Sequence, residues 1–212
     1  YVQTLYPTPV MQFQFALQQS VVSRSLHYGK KALEMFQRGA QSTVDIDGDN
    51  DKAVQMNDEL LGVIYGKLAD WSQMSRLFDD AKQYYEQSVK HFRTDADSLH
   101  SSLYISMIKL SDLVQYGMNR PEEAEPLLRE AIELSIKHGC VIEAVNARVK
   151  LSDALLKQNQ TAEAMNQLKE SEKAIADYIA HQQTSNDPST IEIHKATQIQ
   201  TWIQRKLDQY SE

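Results

Sequence analysis

The chain has 212 residues, 42% of them apolar, which is enough to bury a core in one domain or in a stack of repeats. Only 7 Gly and 5 Pro are present, which argues against turn-rich sandwiches and barrels and for long helices with short connections. A formal charge of -7, from 29 acidic and 22 basic residues, disfavours a general nucleic-acid surface, because phosphate binding needs a basic face.

The lone cysteine, Cys140, has no internal disulfide partner and points to an intracellular protein of the cytoplasm or of an organelle such as the mitochondrion. No run of about 18 apolar residues could span a bilayer, so direct membrane insertion by this segment is not expected. The chain starts at Tyr1 rather than at Met, as an excised domain or processed product would, which leaves open a targeting peptide or anchor before it.

Residues 1–9, with Pro7 and Pro9, read as an extended arm. Over 10–44 the apolar residues Phe13, Leu17, Val21 and Val22 recur at helical spacing, and Ala32, Phe36 and Gly39 repeat it beyond Gly29. This predicts a helical hairpin turning at Gly29, with one long bent helix as the alternative. Residues 43–52 form a polar linker, and the carboxylates of Asp45, Asp47, Asp49 and Asp51 have the alternate spacing of a calcium loop. The glycine required at the sixth place is missing in both frames, Asn50 or Lys52 standing there, so a solvated loop is the favoured reading.

Ala53 to Trp71 is predicted as a helix carrying Leu60, Leu61, Ile64, Tyr65 and Leu68. The next helix carries Leu77, Phe78, Ala81, Tyr84, Tyr85 and Val89, and a break follows at 93–97. Leu99, Leu103, Met107, Leu110 and Val114 line a helix over 98–116. Pro121 then opens a helix with Glu122 and Glu123 in its first turn, where the dipole favours negative charge. In it Ala124, Leu128 and Ala131 form one stripe of small and large residues. Helices over 142–157 and 162–181 come next, then a linker ending at 189 and a capping box, Ser189 with Glu192. The last helix, within 189–212, carries Ala196, Ile199, Trp202, Ile203, Leu207 and Tyr210, and is expected to cap the array.

Within 53–183 the chain repeats itself. KLSD occurs at 109–112 and at 150–153, 41 apart, while Ala124 and Ala164 lie 40 apart (164 − 124) and Ala81 precedes Ala124 by 43. The units resemble the tetratricopeptide repeat (TPR) superfamily, and EEAEPLLREAIEL at 122–134 resembles its long-repeat branch, which includes kinesin light chains. Leu151, Ser152 and Leu155 match the first helix of that motif, and Ala164, Leu168 and Ser171 match the second. Leu61, Gly62 and Tyr65, with Ala81, Tyr85 and Ser88, are taken as the preceding unit; Gly62 and Ala81 are then 19 apart where the family has 12, which suggests one added turn on each helix. The family's tryptophan and its unit-ending proline are absent.

The resemblance implies an all-α, right-handed α-solenoid of TPR-like hairpins that binds a partner peptide or helix on its concave face, as an adaptor or scaffold without enzymatic activity. Spaced from Leu61, Leu110 and Leu151, the implied partner-binding residues are Met56, Glu59, Val63, Lys67, Ile105, Ile108, Asp112, Tyr116, Asn146, Val149, Asp153 and Lys157. The carboxylate clamp of one branch is not expected, since only Lys150 preserves a basic contact there. A structural subunit held permanently in a larger complex is the alternative function. No cofactor, metal or catalytic residue is expected: the six histidines lack metal spacing, there is no glycine-rich phosphate loop, and Cys140 has no orienting partner. The sequence leaves the oligomeric state open.

Overall fold

The computed structural model describes the backbone of residues 9–42, 50–94, 100–184 and 190–210, and the side chains of 21–38, 58–94, 101–184 and 190–210. The described residues are all-α. The helices are α1 Pro9–Ser42, α2 Asn50–Met74, α3 Phe78–Thr94, α4 His100–Asp112, α5 Pro121–Lys137, α6 Val141–Lys157, α7 Thr161–Thr184 and α8 Thr190–Tyr210. A π-helical stretch, Leu113–Gly117, continues α4. The arm at 1–8, the acidic segment at 43–49, the break at 95–99 and Ser189 of the capping box lie outside the described residues.

The chain forms two compact units, residues 1–99 and 100–212. In the first, α1 packs on α2 and α2 on α3; in the second, consecutive helices from α4 to α8 pack on one another. Three of the turns within units share one device. Arg76, Gly139 and Asn159 have φ of 60, 70 and 61°, and the next residue's N–H reaches back across them to a helix carbonyl. These bonds are Leu77 to Ser72 at 2.9 Å, Cys140 to Ser135 at 2.8 Å and Gln160 to Leu155 at 2.9 Å. Orphan carbonyls at the helix ends are thereby satisfied.

The fourth turn, at Asn119 with φ 56°, differs by one residue: Arg120 donates to Val114, six positions back, at 2.9 Å. That residue accounts for the uneven repeat. From Ser111 to Ala124 the count is 13 (124 − 111), and from Ser152 to Ala164 it is 12, the surplus being taken up by the π-helical stretch.

Two expectations are corrected. The described helix α1 runs without a break through Gly29, so in place of the hairpin expected over 10–44 stands one long helix, the alternative reading. Gly29 is there because a Cβ at that position would stand 2.6 Å from Trp71 and 2.9 Å from Leu68, so the residue permits close helix packing rather than a turn. The second correction concerns register. In unit 1 the buried pair matching Leu151 and Ser152 is Leu68 and Ala69, and Ala69 to Ala81 is 12 residues with no insertion. Gly62 serves another contact, against the Phe92 ring, 2.7 Å from where its Cβ would be, with Ser88 Oγ donating to the Gly62 carbonyl at 2.8 Å. Tyr65 stacks on His91 and Tyr84, at centroid distances of 5.4 and 6.2 Å.

The unit 2 core ends on α8. Ala196, Ile203 and Leu207 are buried together with Val145 and Val149 of α6 and Leu168 and Ile175 of α7. α8 repeats the buried pair of α6, Ala147 and Ala154, at an offset of 49 (196 − 147 and 203 − 154). At the same offset from Leu151, Ser152 and Leu155, which are buried, stand Gln200, Thr201 and Gln204, of which Thr201 and Gln204 are exposed. The helix therefore presents polar groups where α6 presents core.

Candidate functional site

Corrected for register, a leucine, a small residue and an aspartate recur three times: Leu68-Ala69-Asp70, Leu110-Ser111-Asp112 and Leu151-Ser152-Asp153. The first two residues of each set are buried, which fixes the helix face and leaves the aspartate half-buried beside them. In unit 1, Asp70 accepts a hydrogen bond from Tyr85 Oη at 2.6 Å. In unit 2 both aspartates are paired with lysines from later helices of the same unit. Lys150 Nζ of α6 lies 3.0 Å from Asp112, and Lys206 Nζ of α8 bonds Asp153 Oδ1.

Tyr116 joins these pairs, donating its hydroxyl to Asp153 Oδ2 at 2.7 Å. Its ring has Lys157 Nζ above it at 4.3 Å and Lys150 Nζ at 5.5 Å, and Lys206 Nζ lies 4.9 Å over Trp202. Lys157 also donates to the Gln115 carbonyl at 3.0 Å. The result in unit 2 is a ladder of acid, lysine and aromatic groups. Burial holds the Asp112 carboxyl above the usual carboxylate range, against the lowering effect of Lys150, and Asp153 adds to the rise. Tyr116 is raised above an ordinary phenol, first by burial and then by the bond it donates to Asp153, so it remains a donor at neutral pH. An open pocket of about 540 Å³ lies against this ladder, lined by Tyr116, Asp153, Leu156, Lys157, Thr161 and Tyr210.

Of the partner-binding residues expected in unit 2, Ile105, Tyr116 and Lys157 are exposed, and Ile108, Asn146 and Asp112 are half-buried. Val149 is the clear correction. It is fully buried in one cluster with Ile203, Leu207 and Ile175, because α8 covers that part of α6. Asp153 is likewise largely enclosed and satisfied by two donors. In unit 1 the new register replaces the spacing from Leu61 with spacing from Leu68. Val63 keeps its place; Glu59 and Lys67 are exposed but fall out of register, and the Met56 side chain is outside the described ones. The positions equivalent to Ile108, Asp112 and Tyr116 become Gly66, Asp70 and Met74. The signal that would have found them was the recurring aspartate.

A second pocket, of about 320 Å³, is lined by residues that include Cys140, Glu143, Tyr178, Glu192 and Lys195. Burial pushes the Cys140 thiol up, and Glu143 adds to it, so thiolate formation is disfavoured. His138, the nearest base in sequence, is bonded to Tyr104 Oη. Tyr104 itself is pushed up to about 12, mainly by burial. Among the described residues no three His, Cys, Asp or Glu side chains are grouped to hold a metal, and no helix is long and apolar enough to cross a membrane.

No protein-family model matches the sequence, and no curated protein does. Solved structures do match. The chain is similar to BtubC (BKLC) from P. vanneervenii, with a TM-score of 0.55 at 13% identity over 99% of this chain and 80% of that one. It is also similar to two structures of a Podosopora anserina putative kinesin light chain with nearly identical TPR-like repeats. For the form carrying a single substitution the TM-score is 0.49 at 17% identity, over 78% of this chain and 96% of that one. For the other form it is 0.48 at 17% identity, over 93% of each. The similarity to BtubC shows the fold alone, an all-α array of helices packed in consecutive pairs.

Proposed function

We propose that this chain is a non-enzymatic adaptor that docks a peptide or helix of a protein partner on the first-helix face of its repeats. The observation that carries the reading is the way charge is distributed in unit 2. Asp112 and Asp153 are neutralised internally by Lys150 and Lys206. Ile105, Tyr116 and Lys157 remain exposed, the last two lining an open pocket. A self-neutralised strip with apolar, aromatic and one cationic group exposed is suited to recognition: the ladder fixes the aromatic rings in place, and the exposed groups can lose water on contact. Charge reversal at Asp112 or Asp153 would break the ladder itself, so it is a poor test of docking.

Peptides selected from a random library on the intact chain provide the test. Lys157→Glu and Ile105→Asp should each weaken their binding at least about tenfold, a loss of about 1.4 kcal/mol. Glu133→Lys, at an exposed position of α5, should leave it unchanged. Binding that ignores the first two substitutions and responds to the third would reject the assignment of the face.

A further inference from the structure

Helix α1 carries a pattern that the recognition strip of unit 2 does not use. Val21, Tyr28 and Met35 are spaced by seven (28 − 21 and 35 − 28) and are 56, 65 and 64% exposed. Ser25 and Ala32 lie between them on the same stripe, giving large and small residues in alternation along a helix face that no described residue covers. On one side this stripe borders the row Val22, Gly29 and Phe36, where Gly29 lets α2 come close and Trp71 forms a wall. On the other side it borders Arg24, Lys31 and Arg38, also seven apart and all exposed. Arg38 has Glu34 at 4.0 Å, while neither Arg24 nor Lys31 is paired with a carboxylate among the described residues. Val21, Arg24, Ser25, Tyr28, Ala32 and Trp71 line a shallow, mainly apolar groove of about 490 Å³.

We infer that this groove is a second docking surface, which takes an amphipathic helix of another protein whose apolar heptad stripe is flanked by acidic residues. Three features decide the occupant. The heptad spacing, with small residues between large ones, accepts the side-chain knobs of a helix. The basic row at one edge demands negative charge from whatever lies over the stripe, in a chain whose overall charge is -7. A second copy of the chain meets that demand badly: in an antiparallel two-fold pairing about Tyr28 the basic row faces itself, setting Arg24 against the copy's Lys31. A bilayer fits less well, because Trp71 walls one side of the groove and the small Ser25 and Ala32 leave gaps between the large residues, a shape that takes individual side chains rather than a continuous lipid surface.

The test uses the full chain and a labelled three-heptad peptide with Leu at its core positions and Glu at the flanking ones, beside a control with Lys at the flanks. The Glu peptide should bind, and the Lys peptide at least about tenfold more weakly. The double variant Arg24→Glu/Lys31→Glu should exchange that preference with an unchanged melting temperature. Tyr28→Glu should remove both, and Lys157→Glu, in unit 2, should change neither. Equal binding of the two peptides, or none, overturns the inference. A dimer in sedimentation that Tyr28→Glu dissolves would give the face to a second copy. Binding to phosphatidylserine vesicles that the same substitution abolishes, without peptide binding, would give it to a membrane surface. Either result also overturns the proposal.

Discussion

Gln115 is the side chain whose surroundings fit its chemistry least. It is fully buried, and among the described residues neither its amide nitrogen nor its amide oxygen has a hydrogen-bond partner, although its backbone carbonyl accepts from Lys157. It sits in the π-helical stretch that absorbs the one surplus residue of its repeat, which turns this side chain inward. A buried amide without partners costs about 1–3 kcal/mol. Gln115→Met keeps the length and removes the polar atoms, so it should raise the unfolding free energy by about 1 kcal/mol or more in a urea titration. A loss of stability instead would show that the amide is satisfied by buried water. The sequence showed where the extra residue lay, through spacings of 41 and 40, but not how the backbone absorbs it, because an α and a π turn share the same composition. It also concealed the third Leu-small-Asp set. Leu61, Gly62 and Tyr65 resemble the family motif more closely than Leu68, Ala69 and Ser72 do, yet Gly62 exists to clear the Phe92 ring, a contact 30 residues away (92 − 62).

At the scale of elements, the two ends of the chain show why some helices could be read and others not. Pro121 at the start of α5, Glu122 and Glu123 in its first turn, and the Ala124, Leu128 and Ala131 stripe are local signals, and the helix they predict is present with that stripe buried. Gly29 is ambiguous locally, since a glycine marks either a turn or a close approach. Trp71 and Leu68, on another helix, make it the latter. In α8 the amphipathic face was legible, but which residue of the neighbours Trp202 and Ile203 is core was not. The structure buries Ile203 fully and leaves Trp202 37% exposed with Lys206 over its ring. The role of α8 as a closing element is therefore tested at Ile203. Ile203→Ala should cost about 2–5 kcal/mol, since it empties a site shared with α6 and α7. Trp202→Ala, read by the same thermal melts, should cost clearly less. Equal losses would mean that the ring, rather than the buried face, holds α8 in place.

For the whole molecule, repeat folds are stabilised by each element and its nearest neighbours rather than by one central core. Residues 100–212 satisfy that condition by themselves. Consecutive helices from α4 to α8 pack on one another, the cluster from Val145 to Leu207 is internal to the unit, and the Asp112, Tyr116, Asp153 and Lys206 ladder joins its first, middle and last parts. Gln204 and Thr201 put exposed polar groups on α8 at the positions where α6 has core residues. A fragment of residues 100–212 should then be helical and unfold in one cooperative transition, whose Ile203→Ala penalty agrees with that in the full chain to within about 0.5 kcal/mol, as expected for independent sites. Circular dichroism during heating and in urea reads both quantities. A broad melt without a cooperative transition would mean that unit 2 draws essential stability from residues 1–99. A cooperative melt with an altered Ile203→Ala penalty would mean that the coupling between repeats extends beyond nearest neighbours, and the additive description would then fail for this chain.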